Sequence, residues 1–207
     1  IDNAARIPEY IARAFDTASS GRPGPVVLAL PEDMLRDEVE ALDRPKVIAP
    51  AQPLCPDAMT TLTDMLRDAT DPIAIIGGAG WSEKAKHYFA QYAERIGLPV
   101  AVAFRRQDNF PNESPVYAGN LGYGPNPKLT QRIKDADLVL AVGARLGEAT
   151  TDGYTLLTPD HPDQILVHVH PDPDELNHVY RTDLPICAEM AEFAEQVALW
   201  DDDLLPF

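Results

Sequence analysis

The sequence predicts a doubly wound α/β domain, a parallel sheet with helices on both faces. Three observations carry this reading. From Asp57 onward, segments with helical periodicity alternate with short apolar runs, the order that produces parallel strands joined by crossover helices. Runs such as Ile73–Ile76 and Leu138–Val142 are continuously apolar rather than alternating, as in strands covered on both faces. Glycines and charged residues follow the runs, at the carboxyl ends of strands where such sheets bind ligands.

The elements follow in chain order. Ile7, Ile11, Ala14, Phe15 and Ala18 recur at helical spacing, with Arg6, Glu9, Arg13 and Asp16 on the opposite side, so a helix is expected over Ala4–Ala18. "SSGRPGP" ends it, and the apolar run "VVLALP" is expected to be a buried strand. Residues 32–56 are charged and broken by proline, as in a connector. Since one helix and one strand cannot make a sheet, residues 1–31 read as the end of another domain. The main domain, 57–200, is expected to hold helix Asp57–Ala69, strand Ile73–Ile76, helix Ser82–Ile96 and strand Val100–Ala103. After a long loop come helix Pro127–Lys134, strand Leu138–Val142, strand Ile165–Val169 and a closing helix Glu189–Leu199. Residues 201–207 read as the start of a second linker.

Composition bounds the function. The 207 residues are 45% hydrophobic, enough for a substantial core, and carry a formal net charge of -16. Nucleic acid is excluded as a partner on that charge, because phosphate contacts need an excess of Lys and Arg. No apolar run approaches the roughly 20 residues needed to span a bilayer, so no membrane association and a cytoplasmic location are expected. Cys55 and Cys187 have neither the number nor the spacing of a disulfide framework or zinc site and are expected to be reduced thiols.

The strand ends hold the candidate chemistry. In "IAIIGGAGWSEKAKHYF", Gly77, Gly78 and the helix after them could bring backbone N–H groups and a positive dipole end to a phosphate. The pattern is neither the full G-x-G-x-x-G nor a P-loop, and a tight strand-to-helix turn alone also favours glycine. In "VLAVGARLGE", Gly143 and Arg145 follow a strand, where the guanidinium could meet a phosphate or carboxylate or tie two loops together. Arg105 and Arg106 sit on another strand end. His168 and His170 lie two apart on one face of a strand, with Asp172 and Asp174 behind. They could contact a ligand, cap a loop or share a divalent ion, although no further ligand has a recognisable spacing. No G-x-S-x-G occurs, and no residue is nominated as catalytic.

"SGRPGPVVLALPEDM", the proline-rich connector, "PIAIIGGAG", "AGNLGYGPNPKLTQRIKDADLVLAVGARLGE" and "ILVHVHPDPDEL", in that order, resemble thiamine-diphosphate-dependent enzymes of the acetolactate synthase and benzoylformate decarboxylase type. The resemblance covers nearly the whole chain. It implies that residues 1–31 close a pyrimidine-binding domain and that 57–200 form a Rossmann-like central domain. It also implies that 201–207 lead toward a diphosphate-binding domain. The parent would be a decarboxylase or carboligase acting on a 2-oxo acid, and a homo-oligomer, either dimer or tetramer. Its thiamine diphosphate and Mg2+ sites would lie outside this chain, so the chain alone is expected to be inactive. In such enzymes the thiamine ring adds to the 2-oxo acid and serves as electron sink after CO2 leaves.

The resemblance also implies a central crevice that holds FAD, ADP or nothing. Gly77, Gly78 and Ala79 match the glycine turn of that crevice, Gly122, Tyr123 and Gly124 a loop reading G-M-H-G in flavin members, and Gly143 with Arg145 a G-x-R. Three positions depart from the flavin pattern. "GARLGEA" replaces G-x-R-F-D-D-R, His170 stands in place of an acid, and Ala188–Glu189 replace Gly-Asp. The alternative is a free-standing adenine-nucleotide-binding or regulatory module of the same fold.

Overall fold

The computed structural model describes residues 1–46 and 53–200. Two compact units divide the chain, Ile1–Ala51 and Gln52–Phe207. Part of the expected connector and all of the expected second linker, 201–207, lie outside the described residues.

In the first unit a short 3-10 turn, Ala4–Arg6, leads into α1, Ile7–Ser19, with a proline in its first turn where the missing N–H has no partner to lose. None of the residues of α1 is buried, and Phe15 is 71% exposed. The apolar side of α1 and residues 43–46 line a groove of 590 Å³. The strand expected in "VVLALP" does not form: Val26–Pro31 makes no ladder, and Val27 is 89% exposed. Apolar character favours burial, but a strand also needs a neighbouring ladder, and the described residues of this unit contain no other strand.

The second unit forms a six-stranded parallel sheet in the order β3-β2-β1-β4-β5-β6. The strands are β1 (Pro72–Ile76), β2 (Val100–Val102), β3 (Tyr117–Asn120), β4 (Leu138–Val142), β5 (Ile165–His170) and β6 (Leu184–Cys187). The four expected strands are present within a residue at each end. The edge strands β3 and β6 lack an apolar-run signal. β3 is only half-buried and contains Gly119, while β6 contains Pro185, tolerated at a sheet edge.

Alternation along the strands sends side chains to two cores. Ala74, Ile76, Leu140, Val142, Val167 and Val169 pack with Leu62 and Leu66 of α2 (Pro56–Asp68), Phe89 and Tyr92 of α3 (Glu83–Ile96), and Phe193 and Val197 of α5 (Met190–Ala198). Ile73, Ile75, Val139, Ala141 and Leu166 face the other way. They meet Leu129 and Ile133 of α4 (Pro127–Asp135), Leu156, Leu157 and Tyr180. Each wholly buried Leu, Ile or Phe contributes about 1.5–3 kcal/mol, so the central strands are the best-anchored part of the molecule.

Helix ends follow their sequences. Ser82 caps α3 by accepting from the Ala85 N–H at 3.1 Å, and Gly97 closes it in the left-handed region. Asn126 caps α4 the same way, ahead of Pro127. At the far end of α3 the Arg95 guanidinium donates to the carbonyls of Val197, Ala198 and Trp200 at 3.2–3.3 Å, capping the C-terminus of α5. Trp200 packs edge-on against Tyr92, with ring centroids 5.8 Å apart.

Candidate functional site

The strand order reverses between β1 and β4, since the chain winds through β2 and β3 on one side and β5 and β6 on the other. The crevice beyond the carboxyl ends at such a reversal is where ligands bind in open α/β sheets. All the site residues expected from sequence lie along this edge. Gly77, Gly78 and Ala79 follow β1, Gly122, Tyr123 and Gly124 follow β3, and Gly143 and Arg145 follow β4. His170 ends β5, and Glu189 is the N-cap of α5. A cleft of 300 Å³ opens there between Gly78, Phe104, Arg106, Arg145 and Thr150.

The turns after β1 and β4 are packed on each other. A Cβ on Gly77 would stand 2.7 Å from the Cβ of Ala103, and one on Gly78 would fall on the Gly143 carbonyl oxygen. A Cβ on Gly143 would meet the Gly77 carbonyl oxygen and the Met190 sulfur, both at 2.6 Å. Gly78 and Gly143 also have φ of 74° and 69°, which side-chain-bearing residues adopt at a cost. The Trp81 indole N–H donates to the Gly77 carbonyl at 2.7 Å and closes the turn. Glu189 reaches the same place, its Oε2 lying 3.9 Å from where a Cβ on Gly80 would sit. Burial first, and then the Glu192 carboxylate, hold the Glu189 carboxyl above its ordinary range.

A phosphate therefore does not fit the glycine turn. The space that absent side chains leave at Gly77, Gly78 and Gly143 is taken by protein, the Ser82 hydroxyl already caps α3, and a carboxylate stands at Gly80. The other half of the cleft differs. Gly147 has open space where its Cβ would be, and Arg106 and Arg145 line the wall.

Arg145 ties two loops. Its Nε donates to Oε1 of Glu175 at 3.2 Å, linking the β4 end to the turn after β5. The Glu175 side chain is 6% exposed and that of Arg145 is 55% exposed, so one end of the pair is buried and the other faces the cleft. His168 is buried, and its Nε2–H donates to the Ala144 carbonyl at 2.8 Å. Burial pushes this imidazole down to about 4, against a smaller opposing effect of that bond, so the ring is neutral at pH 7. His170 accepts the Asp172 N–H at Nδ1, at 3.1 Å, and lies edge-on to His168. Each ring thus has one nitrogen bonded to backbone, and no cluster of three or more His, Cys, Asp or Glu suited to a metal occurs among the described residues.

Tyr123 is 78% exposed and stands edge-on to Phe104 at 5.2 Å, while Gly122 presses on the Phe104 ring and the Arg105 guanidinium covers it at 4.9 Å. The Phe104 N–H donates to the Thr150 hydroxyl at 3.4 Å. Phe104, Thr150 and Glu175 are the site residues that sequence reasoning missed. An aromatic directly before Arg105 and Arg106 at a strand end was a signal for the first. Glu175 sits in a run of acids and has no sequence mark of burial.

The strand order and the crevice at the reversal define a Rossmann-like α/β domain. Residues 59–197 match the family model described as thiamine pyrophosphate enzyme, central domain, and the chain belongs to that family. It is 26% identical over 196 residues to the acetolactate synthase large subunit of Corynebacterium glutamicum, covering 93% of this chain and 31% of that one. It is 34% identical over 146 residues to a sulfoacetaldehyde acetyltransferase of Alcaligenes xylosoxydans xylosoxydans, covering 70% of this chain and 24% of that one. The chain thus spans a third or less of the length of these relatives. In fold it is similar to benzoylformate decarboxylase from Polynucleobacter necessarius, with a TM-score of 0.75 at 21% identity over 100% of this chain and 38% of that one. No helix among the described residues is long and apolar enough to cross a membrane.

Proposed function

We propose that this chain supplies the central domain of a thiamine-diphosphate-dependent decarboxylase or carboligase acting on a 2-oxo acid. The match of residues 59–197 to that family's central domain carries the reading. Thiamine diphosphate supplies the electron sink for such chemistry. The described residues do not fit it or its Mg2+, having no acidic cluster for a metal, and no step is assigned to them. Their role in this reading is to hold the scaffold and to link the domains that carry the cofactor in a homodimer or homotetramer. The same reading makes Ile1–Pro31 the closing segment of a pyrimidine-binding domain, whose other elements would cover the exposed apolar side of α1, and makes 32–56 a linker. Among FAD, ADP or an empty crevice, the packed glycine turn favours the empty one.

The test is CO2 release from pyruvate and from benzoylformate by the protein of the complete reading frame, with and without thiamine diphosphate and Mg2+. Release that requires thiamine is expected from that protein and not from the 207-residue chain. Turnover by the chain alone, or a complete protein with no thiamine-dependent activity on any 2-oxo acid, would overturn the assignment.

A further inference from the structure

We infer that the open half of the crevice, between Arg106 and Arg145, is a binding site for a small dianion, a phosphate or a short dicarboxylate. The two guanidiniums reach it from different strands: Arg106 follows β2, Arg145 follows β4, and both line the cleft of 300 Å³ together with Thr150. That volume is at the low end for a ligand pocket, about 300–1,000 Å³, and the packed turn at Gly77, Gly78 and Gly143 bars extension across β1. What remains suits a compact anion and not a dinucleotide. The inference goes beyond the thiamine-dependent reading and does not rest on it.

Donors stand on both walls. Glu175 takes the Nε of Arg145 and leaves its Nη groups to pair with something else. The Arg106 guanidinium forms no hydrogen bond or ion pair among the described residues. In a chain with 33 Asp and Glu against 17 Lys and Arg, a guanidinium left without an acid is against expectation, and Glu148 is the one acid among the described residues that line the cleft. The Thr150 hydroxyl accepts the Phe104 N–H and keeps its own hydrogen to donate, while Gly147 leaves open the space a side chain would fill. Each arginine also adjoins strained backbone. Arg105 has φ of 59° and Leu146 of 51°, left-handed values that cost free energy in residues with side chains. Strain of this kind persists where the surrounding fold enforces it and gathers at ligand sites; Leu146, 1% exposed, is anchored in the core beside Arg145. A guanidinium offers a planar fork that matches carboxylate and phosphate oxygens two at a time, so two of them on facing walls match two negative charges.

The test is an NMR titration of the isotope-labelled 207-residue chain at constant ionic strength, with inorganic phosphate, malonate, uncharged malonamide and ADP. Phosphate or malonate is expected to bind with a Kd of about 1 mM or tighter, shifting the amides of Gly147 and Thr150, and malonamide is expected not to bind. The tighter of the two anions assigns the ligand to phosphates or to dicarboxylates. Arg106→Gln and Arg145→Gln are each expected to weaken binding at least about tenfold, or ~1.4 kcal/mol. The spectrum of each variant reports its fold, and Arg106→Gln, at an exposed position, decides if the loss of the Glu175 pair unfolds the other. Arg105→Gln removes a neighbouring exposed cation outside the lining and is expected to change the affinity less than about twofold. Binding of neither anion, no loss in Arg106→Gln, an equal loss in Arg105→Gln, or ADP bound more than about tenfold tighter than phosphate, which would make this a nucleotide site, would overturn the inference. The readout involves no thiamine, so its failure is distinct from a failure of the thiamine-dependent activity.

Discussion

Lowering the pH from 6.5 toward 4 should destabilise this fold through one buried ring, His168. Burial favours its neutral form, holding the folded-state pKa at about 4 against an ordinary value of 6.5. The bond to the Ala144 carbonyl opposes this more weakly, His170 adds to it, and Glu175 opposes it. The sign follows from proton counting. Between 6.5 and 4 the unfolded chain binds a proton at this ring and the folded chain does not, so stability falls as pH falls through that window. At about 1.4 kcal/mol per pH unit, the full loss is about 3 kcal/mol, present above pH 6.5 and gone near pH 4. Urea unfolding at pH 7, 6, 5 and 4 measures it, with His168→Gln as reference because the amide can still donate to Ala144 and does not titrate. The other ionisable groups cancel in the difference between the two proteins. The unaltered chain should lose about 3 kcal/mol more than the variant across the window. Stability curves that run parallel to within about 0.5 kcal/mol would refute the argument, showing the ring to be solvated or the bond to Ala144 to accommodate its charge.

Two further outcomes are expected. Gly78→Ala forces a left-handed φ on alanine and drives its Cβ onto the Gly143 carbonyl, so the urea midpoint should reveal a loss of about 3 kcal/mol or more. A loss under about 1 kcal/mol would mean that the two turns are not packed backbone to backbone. Tyr92→Phe removes a buried hydroxyl that finds no partner among the described residues, so thermal unfolding should show a change between neutral and about 1 kcal/mol stabilising. A clear destabilisation would show that the hydroxyl is bonded after all.

The central strands were legible because burial on both faces demands continuous apolar runs, and Pro72–Ile76 and Leu138–Val142 supply them without interruption. The edge strands were not, since an edge tolerates Gly119 and Pro185 and needs apolar contact on fewer sides. "VVLALP" misled for the converse reason: its composition suits a strand, while the ladder that would make it one is a non-local matter that composition cannot supply. At the crevice, the glycines were found but the reason for them was not. Sequence marks Gly78 as a place without a side chain, and only the fold shows that the vacated space faces the Gly143 carbonyl and not a ligand. Arg145 was located correctly as a strand-end cation with two readings, and Glu175, its partner, is indistinguishable in sequence from the solvated acids around it.

The Arg95 cap on α5 makes α3 a mechanical link. This helix is about 21 Å long at 1.5 Å per residue, and it begins two residues beyond Trp81, which holds the glycine turn closed. It ends where Arg95 grips three carbonyls and Tyr92 meets Trp200. One helix about 20 Å long thus joins two sets of contacts, the glycine turn at one end and Trp200 at the other.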